Sequence, residues 1–543
     1  MTGTAMARAS RSGGAEGAIL IAGIVLAALT EAIASTALSA GRFDIIGDIH
    51  ATPDEFAWLD IGYTTAKFIG FVVAPVLMCR IDSRRLLIGS TLVLGAAGAI
   101  AMLATSLDTL VALRVLQGLS GGILLVGSQS ILFLEFPRSR QPVLQALFAI
   151  GAVVAPATMT AAYQGWLVDY RSWGWIFFSI VPVSLASAGL LLMGGESAGS
   201  ARETRPFDWL GAALFSVSLC CFTYVLSQGN RWNWFGDPIV SWLVVAGSAA
   251  LLAFLGTQVL SGERRLLQFE IFESEQFSFA FFISFIAGAA LFGSAYLIPA
   301  FAASVLSFTP TGAGLLLLPS GGLFLGALFL AAFLFQVRGA PPIATVPFGI
   351  ILIMTSMWML SGSTQDSGTG DMMTAILLRG VGLGFLFLSI TLIAFSDLNA
   401  RDLPFGIALF NIGRQLGGLL GVAGLQTLIS HGVVTNMAVL GAGVSDGSPL
   451  AQQRLAATAA AFAGRGLDTE VASQASRRLL GSAVQGQSAV IAFETAFNAV
   501  ALFFVFAVPA VIAVKIALSR QAKKRAARVR SQEVGDDGSG SGS

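Results

Sequence analysis

The sequence predicts an all-α integral membrane protein that crosses the bilayer fourteen times, and three observations support this fold class. Of its 543 residues, 55% are hydrophobic and only 11% are charged, whereas roughly 25% of the residues in an ordinary soluble domain are charged. The mean hydropathy of +0.79 leaves too little polar surface to cover a water-soluble protein of this size. The apolar residues also form long runs, such as Leu86–Ser106 and Ile491–Val514, and a spanning helix needs about 20 such residues.

The predicted spans are joined by short loops, except for the segment 430–488 before the last span. That segment is rich in Ala, Gly and Gln, and we expect one or two amphipathic helices in it. The first apolar run is longer than that of a signal peptide, so we interpret it as a span and not as a cleaved signal. The predicted spans are 18–40, 57–79, 86–106, 109–133, 143–164, 173–193, 207–228, 238–260, 277–304, 311–335, 343–361, 372–396, 403–429 and 489–516.

The distribution of basic residues predicts that both termini are cytoplasmic, because short cytoplasmic loops carry an excess of Lys and Arg. With this orientation the basic tail Lys523–Arg530 also lies inside, near anionic lipid. The loops assigned to the cytoplasm carry Arg80, Arg84, Arg85, Arg138, Arg140, Arg202, Arg205, Arg264, Arg265, Arg338 and Arg401, whereas those assigned to the outside carry only Arg42, Arg171 and Arg231.

Two short patterns recur in the chain at nearly the same offset. Ala146–Gly151 recurs as Ala408–Gly413, and Arg114 with the glycines after it recurs as Arg379 with a similar run of glycines. Both recurrences match a span to the one eight positions later, which preserves its direction across the membrane. Parallel repeats of this kind are a transporter architecture, with the binding site between the two halves near the bilayer midplane.

The repeat predicts the domain organisation. Two parallel six-helix halves occupy 18–193 and 277–516, and two inserted linker helices occupy 207–260. The tails 1–17 and 517–543 lie on the cytoplasmic side, and the segment 430–488 lies on the outer side.

Several classes of site are not expected. Cys79, Cys220 and Cys221 form neither a disulfide framework nor a metal-spaced cluster. No Walker-type loop occurs, so ATP is not the expected energy source. We therefore expect no metal, no cofactor and no nucleic-acid partner.

Ionisable residues inside spans indicate functional sites, because each costs about 2.5–3.5 kcal/mol or more at the bilayer centre. Glu31 lies in the middle of the first span and could load and release a proton near neutral pH. The alternative is a permanently paired acid, with Lys67 or Arg114 as the partner. Asp60, Tyr63 and Lys67 have i, i+3, i+7 spacing, which places them on one helical face.

Four short motifs are similar to those of a known family. Leu113–Gly122 in span 4 contains the pattern Arg-x-x-Gln-Gly. The other three are Trp173–Phe178 at the start of span 6, Phe207–Gly211 at the start of span 7 and Arg414–Gly418 in span 13. In these motifs the sequence resembles the major facilitator superfamily and, within it, the fourteen-span drug:proton antiporters of the multidrug-efflux type. The resemblance implies the major facilitator fold and proton-coupled transport of small molecules.

The resemblance also assigns roles to particular residues. Glu31 stands where the family has an acid in span 1, and Arg114 matches an arginine that takes part in proton coupling. Glu31, Arg114 and Asp60 are therefore the candidates for proton coupling. The alternative for Arg114 is hydrogen bonding between helices. The candidates for substrate binding are Lys67, Tyr63, Gln117, Arg379, Arg414 and Asn411.

Two motifs depart from the family pattern. In the loop between spans 2 and 3, Pro75 and Cys79 replace a glycine and an acid of the family motif, which puts the usual gating latch in doubt. In span 5, Thr160–Gly165 replaces the antiporter signature Gly-Pro-x-x-Gly-Gly, which puts obligatory proton antiport in doubt.

Three functions are compatible with the sequence. The first is a proton-driven exporter of amphipathic compounds, such as drugs, toxic compounds or a secreted metabolite, in a bacterial inner membrane. The second is an uncoupled facilitator or an uptake transporter of the same fold. The third is a membrane-embedded enzyme or a sensor. The sequence shows neither the nucleophile–base set expected of an enzyme nor the appended soluble domain expected of a sensor. For an exporter, the resemblance implies a periplasmic adaptor protein as a partner. The cations inside the spans favour an anionic or zwitterionic substrate.

Overall fold

The computed structural model describes residues 14–194, 208–260, 271–272, 274–444 and 448–539, and every regular element in these ranges is helical. Fourteen helices are long and apolar enough to cross a membrane, which confirms the predicted number of spans. Numbered in chain order, spans 1 to 14 are Ala15–Ser39, Pro53–Arg80, Ser83–Met102, Leu107–Glu135, Arg138–Tyr170, Gly174–Met193, Trp209–Gln228, Pro238–Leu260, Glu275–Ser304, Pro310–Gln336, Pro342–Leu360, Thr369–Phe395, Leu403–Gly443 and Thr469–Ala507.

Some features predicted from the sequence lie outside the described residues. These are most of the N-terminal tail, Phe207, and the loop arginines Arg202, Arg205, Arg264 and Arg265. For the basic tail Lys523–Arg530 the structure describes the helical backbone alone.

Polar side chains fix where the helices begin. At the start of span 2 the Thr52 hydroxyl accepts a hydrogen bond from the backbone N–H of Glu55, whose carboxylate accepts one from the backbone N–H of Thr52 at 2.7 Å. This capping box satisfies two backbone donors that a helix start leaves free. At the start of span 3 Asp82 accepts from the backbone N–H of Arg84 at 3.1 Å, and the Arg84 guanidinium lies 3.4 Å from Glu135 at the end of span 4.

Span 5 changes helix type in the middle of its length. An α-helix Gln141–Ala149 leads into a π-helical stretch Ile150–Met159, and a second α-helix follows at Thr160–Tyr170. Pro156 lies inside the π-helical stretch and has no backbone N–H to donate to the preceding turn. Helical irregularities of this kind are frequent at functional sites.

The contacts among spans 1–6 recur among spans 9–14. Span 4 packs against spans 2 and 3, and span 12 packs against spans 10 and 11. Span 1 packs against spans 5 and 6, and span 9 packs against spans 13 and 14. The eight-span offset of the sequence repeat is therefore also the offset of these helix contacts.

Spans 7 and 8 pack mainly against each other at the edge of the bundle. Span 7 also contacts span 2, where the rings of Trp58 and Tyr224 lie 5.3 Å apart. A Cβ atom at Gly247 would lie 2.9 Å from the Cβ atom of Cys221, so a small residue is needed where the two spans cross.

The segment 430–488 is helical over most of its described length. Span 13 continues to Gly443, a separate helix runs over Pro449–Ala463, and the last helix already begins at Thr469. The expected loop is thus replaced mainly by extensions of spans 13 and 14, with one helix between them. Ala is the strongest helix former, and the abundance of Ala in this segment explains the difference.

Close packing joins the first six spans to spans 9–14. A Cβ atom at Gly165 in span 5 would lie 2.8 Å from Pro310 in span 10, and one at Gly314 would lie 2.5 Å from Ala162. On the predicted cytoplasmic side, the Arg138 guanidinium donates to the backbone carbonyls of Ser396 and Leu398 at 2.8 and 3.2 Å. In the predicted orientation the contacts of Gly165 and Gly314 lie near the outer ends of spans 5 and 10, whereas those of Arg138 lie at the cytoplasmic end, so the two sets of spans are in contact at both ends.

Candidate transport site

A buried ion pair joins spans 1 and 2. Lys67 Nζ lies 2.5 Å from Glu31 Oε1, and the Tyr63 hydroxyl donates to the same oxygen at 2.9 Å. The Lys67 and Glu31 side chains are only 8% and 2% exposed. Because water is nearly excluded, each charge is stabilised mainly by the other and by the tyrosine. Of the two partners that the sequence left open for Glu31, the structure selects Lys67.

Glycines in span 4 make room for this cluster. A Cβ atom at Gly121 would lie 3.0 Å from Glu31 Cγ and 3.5 Å from the Tyr63 hydroxyl, and one at Gly118 would collide with the Tyr63 carbonyl. Both glycines belong to the run that follows Arg114. Small residues at such positions allow helices to approach closely in a membrane, and here they also allow the ionic side chains to meet.

Arg114 ties three spans together. Its Nη1 donates to the carbonyl of Ala34 in span 1 at 2.7 Å and to Gln117 Oε1 at 3.1 Å. Its guanidinium carbon lies 4.0 Å from the centre of the Tyr63 ring in span 2, a distance that permits a cation–π interaction. Arg114 is fully buried. These contacts favour a positioning role, in which Arg114 holds Tyr63 against Glu31.

Asp60 lies one helical turn before Tyr63 on span 2. Its side chain is exposed, although it interacts electrostatically with Arg114, Lys67 and Arg42. An exposed carboxylate so close to these cations borders a space that solvent can reach. Asp60 therefore stands between solvent and the buried Glu31–Lys67 pair.

Arg379 occupies an unusual position between spans 12 and 9. It is fully buried, and its Nε donates to the hydroxyl of Ser294 at 2.7 Å. Its Nη1 and Nη2 atoms have no hydrogen-bond partner among the described residues. A buried guanidinium with free donors is costly.

A chain of side-chain hydrogen bonds connects the two sets of six spans. Arg414 Nη2 donates to Asn411 Oδ1 at 2.6 Å, and Asn411 Nδ2 lies 3.4 Å from Gln129 Oε1 in span 4. Gln129 donates to Gln145 in span 5 at 3.1 Å, and Gln145 donates to Gln141 at 3.3 Å. This amide chain runs from Arg414 to Gln141, which lines a recess on the predicted cytoplasmic side.

Arg414 also lines a small recess. The guanidinium carbon of Arg414 lies 5.3 Å from the centre of the Phe387 ring. The recess is bordered by residues of spans 5, 9, 10, 12 and 13, namely Val153, Ser284, Ala287, Leu291, Phe324, Leu383, Leu386, Phe387, Ile390, Phe410 and Arg414. Apolar and aromatic walls with few polar groups are typical of small-molecule sites.

The candidate residues thus fall into two groups. Glu31, Asp60, Tyr63, Lys67, Arg114 and Gln117 meet where spans 1, 2 and 4 cross, whereas Asn411 and Arg414 lie on span 13 and Arg379 on span 12. Sequence reasoning missed Gln129, Gln145, Ser284 and Ser294. The signal for the first two was an amide inside an otherwise apolar span, since such groups are costly without partners. Serines gave no usable signal because they are common in spans.

Among the residues that the structure describes, no group of three or more His, Cys, Asp or Glu side chains could hold a metal ion.

Comparisons with known proteins find relatives among bacterial export and transport proteins. The chain is similar to the multidrug export protein EmrB of Haemophilus influenzae, with 27% identity over 75% of this chain and 79% of that protein. It is 25% identical to the colistin resistance protein EmrB of Acinetobacter baumannii, over 75% and 78% of the two chains. It is also 24% identical to the uncharacterized MFS-type transporter YhcA of Bacillus subtilis, over 76% of each chain.

The relatives are bacterial, and the fourteen apolar helices agree with a multi-pass protein of the bacterial inner membrane. These findings point to a transporter and not to an enzyme. The family model described as the Major Facilitator Superfamily matches residues 20–422, which is most of the chain. The chain therefore belongs to the Major Facilitator Superfamily.

Proposed function

We propose that this protein is a secondary-active exporter that exchanges protons for amphipathic small molecules. The observation that carries the proposal is the buried ion pair of Glu31 and Lys67. Asp60, one turn before Tyr63 on span 2, is exposed to solvent close to this pair. Buried ionisable groups inside a membrane mark proton relays and substrate paths. The multidrug export and colistin resistance proteins among the relatives support export as the direction.

Protonation of Glu31 would change the charge of this cluster. A proton that enters past Asp60 forms an O–H bond on the Glu31 carboxylate, while Lys67 keeps its ammonium charge. The cluster then changes from neutral to a charge of about +1, and the attraction between spans 1 and 2 weakens. Release of the proton to the cytoplasm restores the pair. In the proposed cycle the two six-span halves rock about the site between these events, with both termini in the cytoplasm.

The test uses purified protein in liposomes that contain a pH-sensitive dye. A pH gradient is imposed, and 9-anthracenecarboxylate or its cationic analogue 9-(aminomethyl)anthracene is added. We expect a probe-triggered proton flux in the wild type that is lost in Glu31→Gln. Glu494→Gln is the matched control, because Glu494 is an exposed acid in span 14. An unchanged flux in Glu31→Gln would refute the proposed proton carrier.

The second candidate is a facilitator or an uptake transporter, and it is favoured by the segment Thr160–Gly165 of span 5, which departs from the antiporter signature. Gln164, inside the altered antiporter signature, donates to the carbonyl of Ile33 and to the hydroxyl of Thr36, each at 2.9 Å. This segment therefore ties span 5 to span 1. In the liposome assay this function would appear as movement of the probe without any proton flux.

A periplasmic adaptor is the proposed partner, and the helices of the segment 430–488 are its docking surface. Exposed apolar residues on them include Val434 at 69%, Leu450 at 78% and Val471 at 49% exposure. Replacing the helix Pro449–Ala463 with a Gly-Ser linker should reduce efflux from Gram-negative cells while the liposome flux is unchanged. Equal efflux from the cells would argue against an adaptor.

A further inference from the structure

Two guanidinium groups in spans 12 and 13 form no ion pair with a carboxylate of the described residues. Within spans 9–13 the acidic residues are Glu275 and Asp371, and both lie in the first turn of their helices, away from the bilayer centre. No ion pair of Arg379 or Arg414 occurs among the described residues. Arg379 is also fully buried with two free nitrogen donors. A buried cation without an internal partner is costly to keep, which suggests that a ligand supplies the negative charge.

The recess next to Arg414 lies within reach of Arg379. Leu383 follows Arg379 by one turn on span 12, and Leu291 precedes Ser294 by one turn on span 9, and both leucines line the recess. Gly288, about one turn before Leu291 on span 9, packs against the backbone of Arg414. Ser294 is six residues beyond Gly288, a rise of about 9 Å. Arg379 therefore lies one turn beyond the lining residue Leu383 on span 12, toward the outer side in the predicted orientation.

Other parts of the recess suit the rest of an amphipathic molecule. The hydroxyl of Ser284 is buried there and has no hydrogen-bond partner among the described residues. Phe324, Phe387 and Phe410 supply aromatic walls. A polar head and an apolar body would thus each find complementary groups.

From this arrangement we infer that the recess binds an amphipathic organic anion, with its carboxylate, sulfonate or phosphate group between Arg379 and Arg414. Guanidinium groups bind such anions with paired, charge-assisted hydrogen bonds. The apolar body lies against the three phenylalanines. The inference rests on the proposed transport function and names its substrate class, and it places the substrate in a site separate from Glu31.

The test is equilibrium binding, without any gradient, to protein in phosphatidylcholine nanodiscs, where the probe is the only amphipathic anion. The probes are 9-anthracenecarboxylate and 9-(aminomethyl)anthracene, which share an aromatic body and differ in the sign of their charge. We expect the anion to bind at least tenfold more tightly than the cation. We expect Arg379→Met and Arg414→Met each to raise the Kd of the anion at least tenfold, and Arg379→Lys to raise it less.

Arg454→Met is the matched control, because Arg454 is exposed on the helix Pro449–Ala463, and it should leave binding unchanged. Ser294→Ala removes the Nε partner of Arg379 and should weaken anion binding in a protein that keeps both charges. Equal or tighter binding of the cation by the wild type would overturn the inference, whatever the variants do. Glu31→Gln should still bind the anion, so a failure of proton coupling and a failure of the anion site give different results.

Discussion

At the scale of single residues, the contacts of Glu31 decide how the protein can use a proton. The carboxylate shares one oxygen between the Lys67 ammonium and the Tyr63 hydroxyl, and it is shielded from water by Gly121 of span 4. Removing one charge of a buried pair leaves the other uncompensated, whereas removing both can be nearly neutral. The difference in stability between the single and the double variants therefore distinguishes an ion pair from two residues that do not interact.

We therefore predict that Lys67→Met lowers stability by about 3–5 kcal/mol and that the double variant Glu31→Gln with Lys67→Met recovers most of the loss. Thermal unfolding in detergent, analysed as a double-mutant cycle, measures the coupling. Arg231→Met is the control, because Arg231 pairs with Asp54 at 3.0 Å on the surface, with both side chains about 40% exposed or more. Additive losses in the cycle would show that no pair exists.

The two sites also predict that the charge of Glu31 affects anion binding. Arg414 interacts electrostatically with Glu31, so removing the negative charge of Glu31 removes a group that opposes an anion in the recess. The affinity for 9-anthracenecarboxylate should therefore be higher in Glu31→Gln than in the wild type. Equilibrium binding in nanodiscs measures the effect, and an unchanged or lower affinity in the variant would contradict it.

The sequence predicted the residue types of this cluster better than their pairing. The i, i+3, i+7 spacing placed Asp60, Tyr63 and Lys67 on one face, and the structure brings Tyr63 and Lys67 to the same oxygen of Glu31. The choice between Lys67 and Arg114 as the partner depended on how spans 1, 2 and 4 cross. No local pattern contains that information.

At the scale of helices, glycines determine how closely the spans approach. Gly121 faces the ionic cluster, whereas a Cβ atom at Gly127, two turns further along span 4, would meet nothing within 4 Å. Gly121 therefore serves as the test position and Gly127 as the control position in the same helix.

We predict that Gly121→Ala displaces Glu31 or Tyr63 and abolishes probe-triggered proton flux, because the added carbon would lie 3.0 Å from Glu31 Cγ. Gly127→Ala should preserve the flux and raise stability by up to about 1 kcal/mol, the difference in helix propensity. The liposome assay measures the proton flux of both variants, and thermal unfolding measures their stability. Normal flux in Gly121→Ala would show that the packing of the cluster is not required.

Two helical features went beyond what the sequence predicted. Pro156 is visible in the sequence, but the ten-residue π-helical stretch around it depends on its contacts with spans 1 and 10. For the segment 430–488 the sequence predicts a loop with one or two amphipathic helices. Helix propensity continues past the end of a hydrophobic run, so the helices that contain spans 13 and 14 extend beyond the predicted spans.

At the scale of the whole molecule, the two sets of spans are joined on the predicted cytoplasmic side by contacts between the loops after spans 4 and 12. Arg138 donates to the carbonyls of Ser396 and Leu398, and the amide chain from Arg414 to Gln141 runs just behind this contact. A transporter must break such contacts to open the other way. These hydrogen bonds therefore favour the state that the structure shows.

We predict that Arg138→Ala shifts the equilibrium toward a form that is open on this side. Spin labels at the exposed positions Ser139 and Asn399, in a background where Cys79, Cys220 and Cys221 are replaced, would report the distance between the two loops. The fraction of longer distances should increase in Arg138→Ala and not in Arg140→Ala, since Arg140 is an exposed neighbour. An unchanged distance distribution would contradict the prediction.

The number of spans and the family followed from hydropathy and motifs alone, since both are local properties of the chain. The recess beside Arg414 did not, because it is formed by five spans from distant parts of the sequence. The same holds for the amide chain, whose members come from spans 4, 5 and 13. A sequence indicates which residues are costly to bury, and the fold decides which of them meet.

The most direct test of the proton-carrier role of Glu31 compares two transport modes in the same liposomes. Proton-driven accumulation of 9-anthracenecarboxylate requires proton binding and release, whereas exchange of labelled for unlabelled probe requires only the substrate site and the change of conformation. We predict that Glu31→Gln loses accumulation and keeps exchange. Retained accumulation, or the loss of both modes in a folded variant, would contradict the role of Glu31 as the proton carrier.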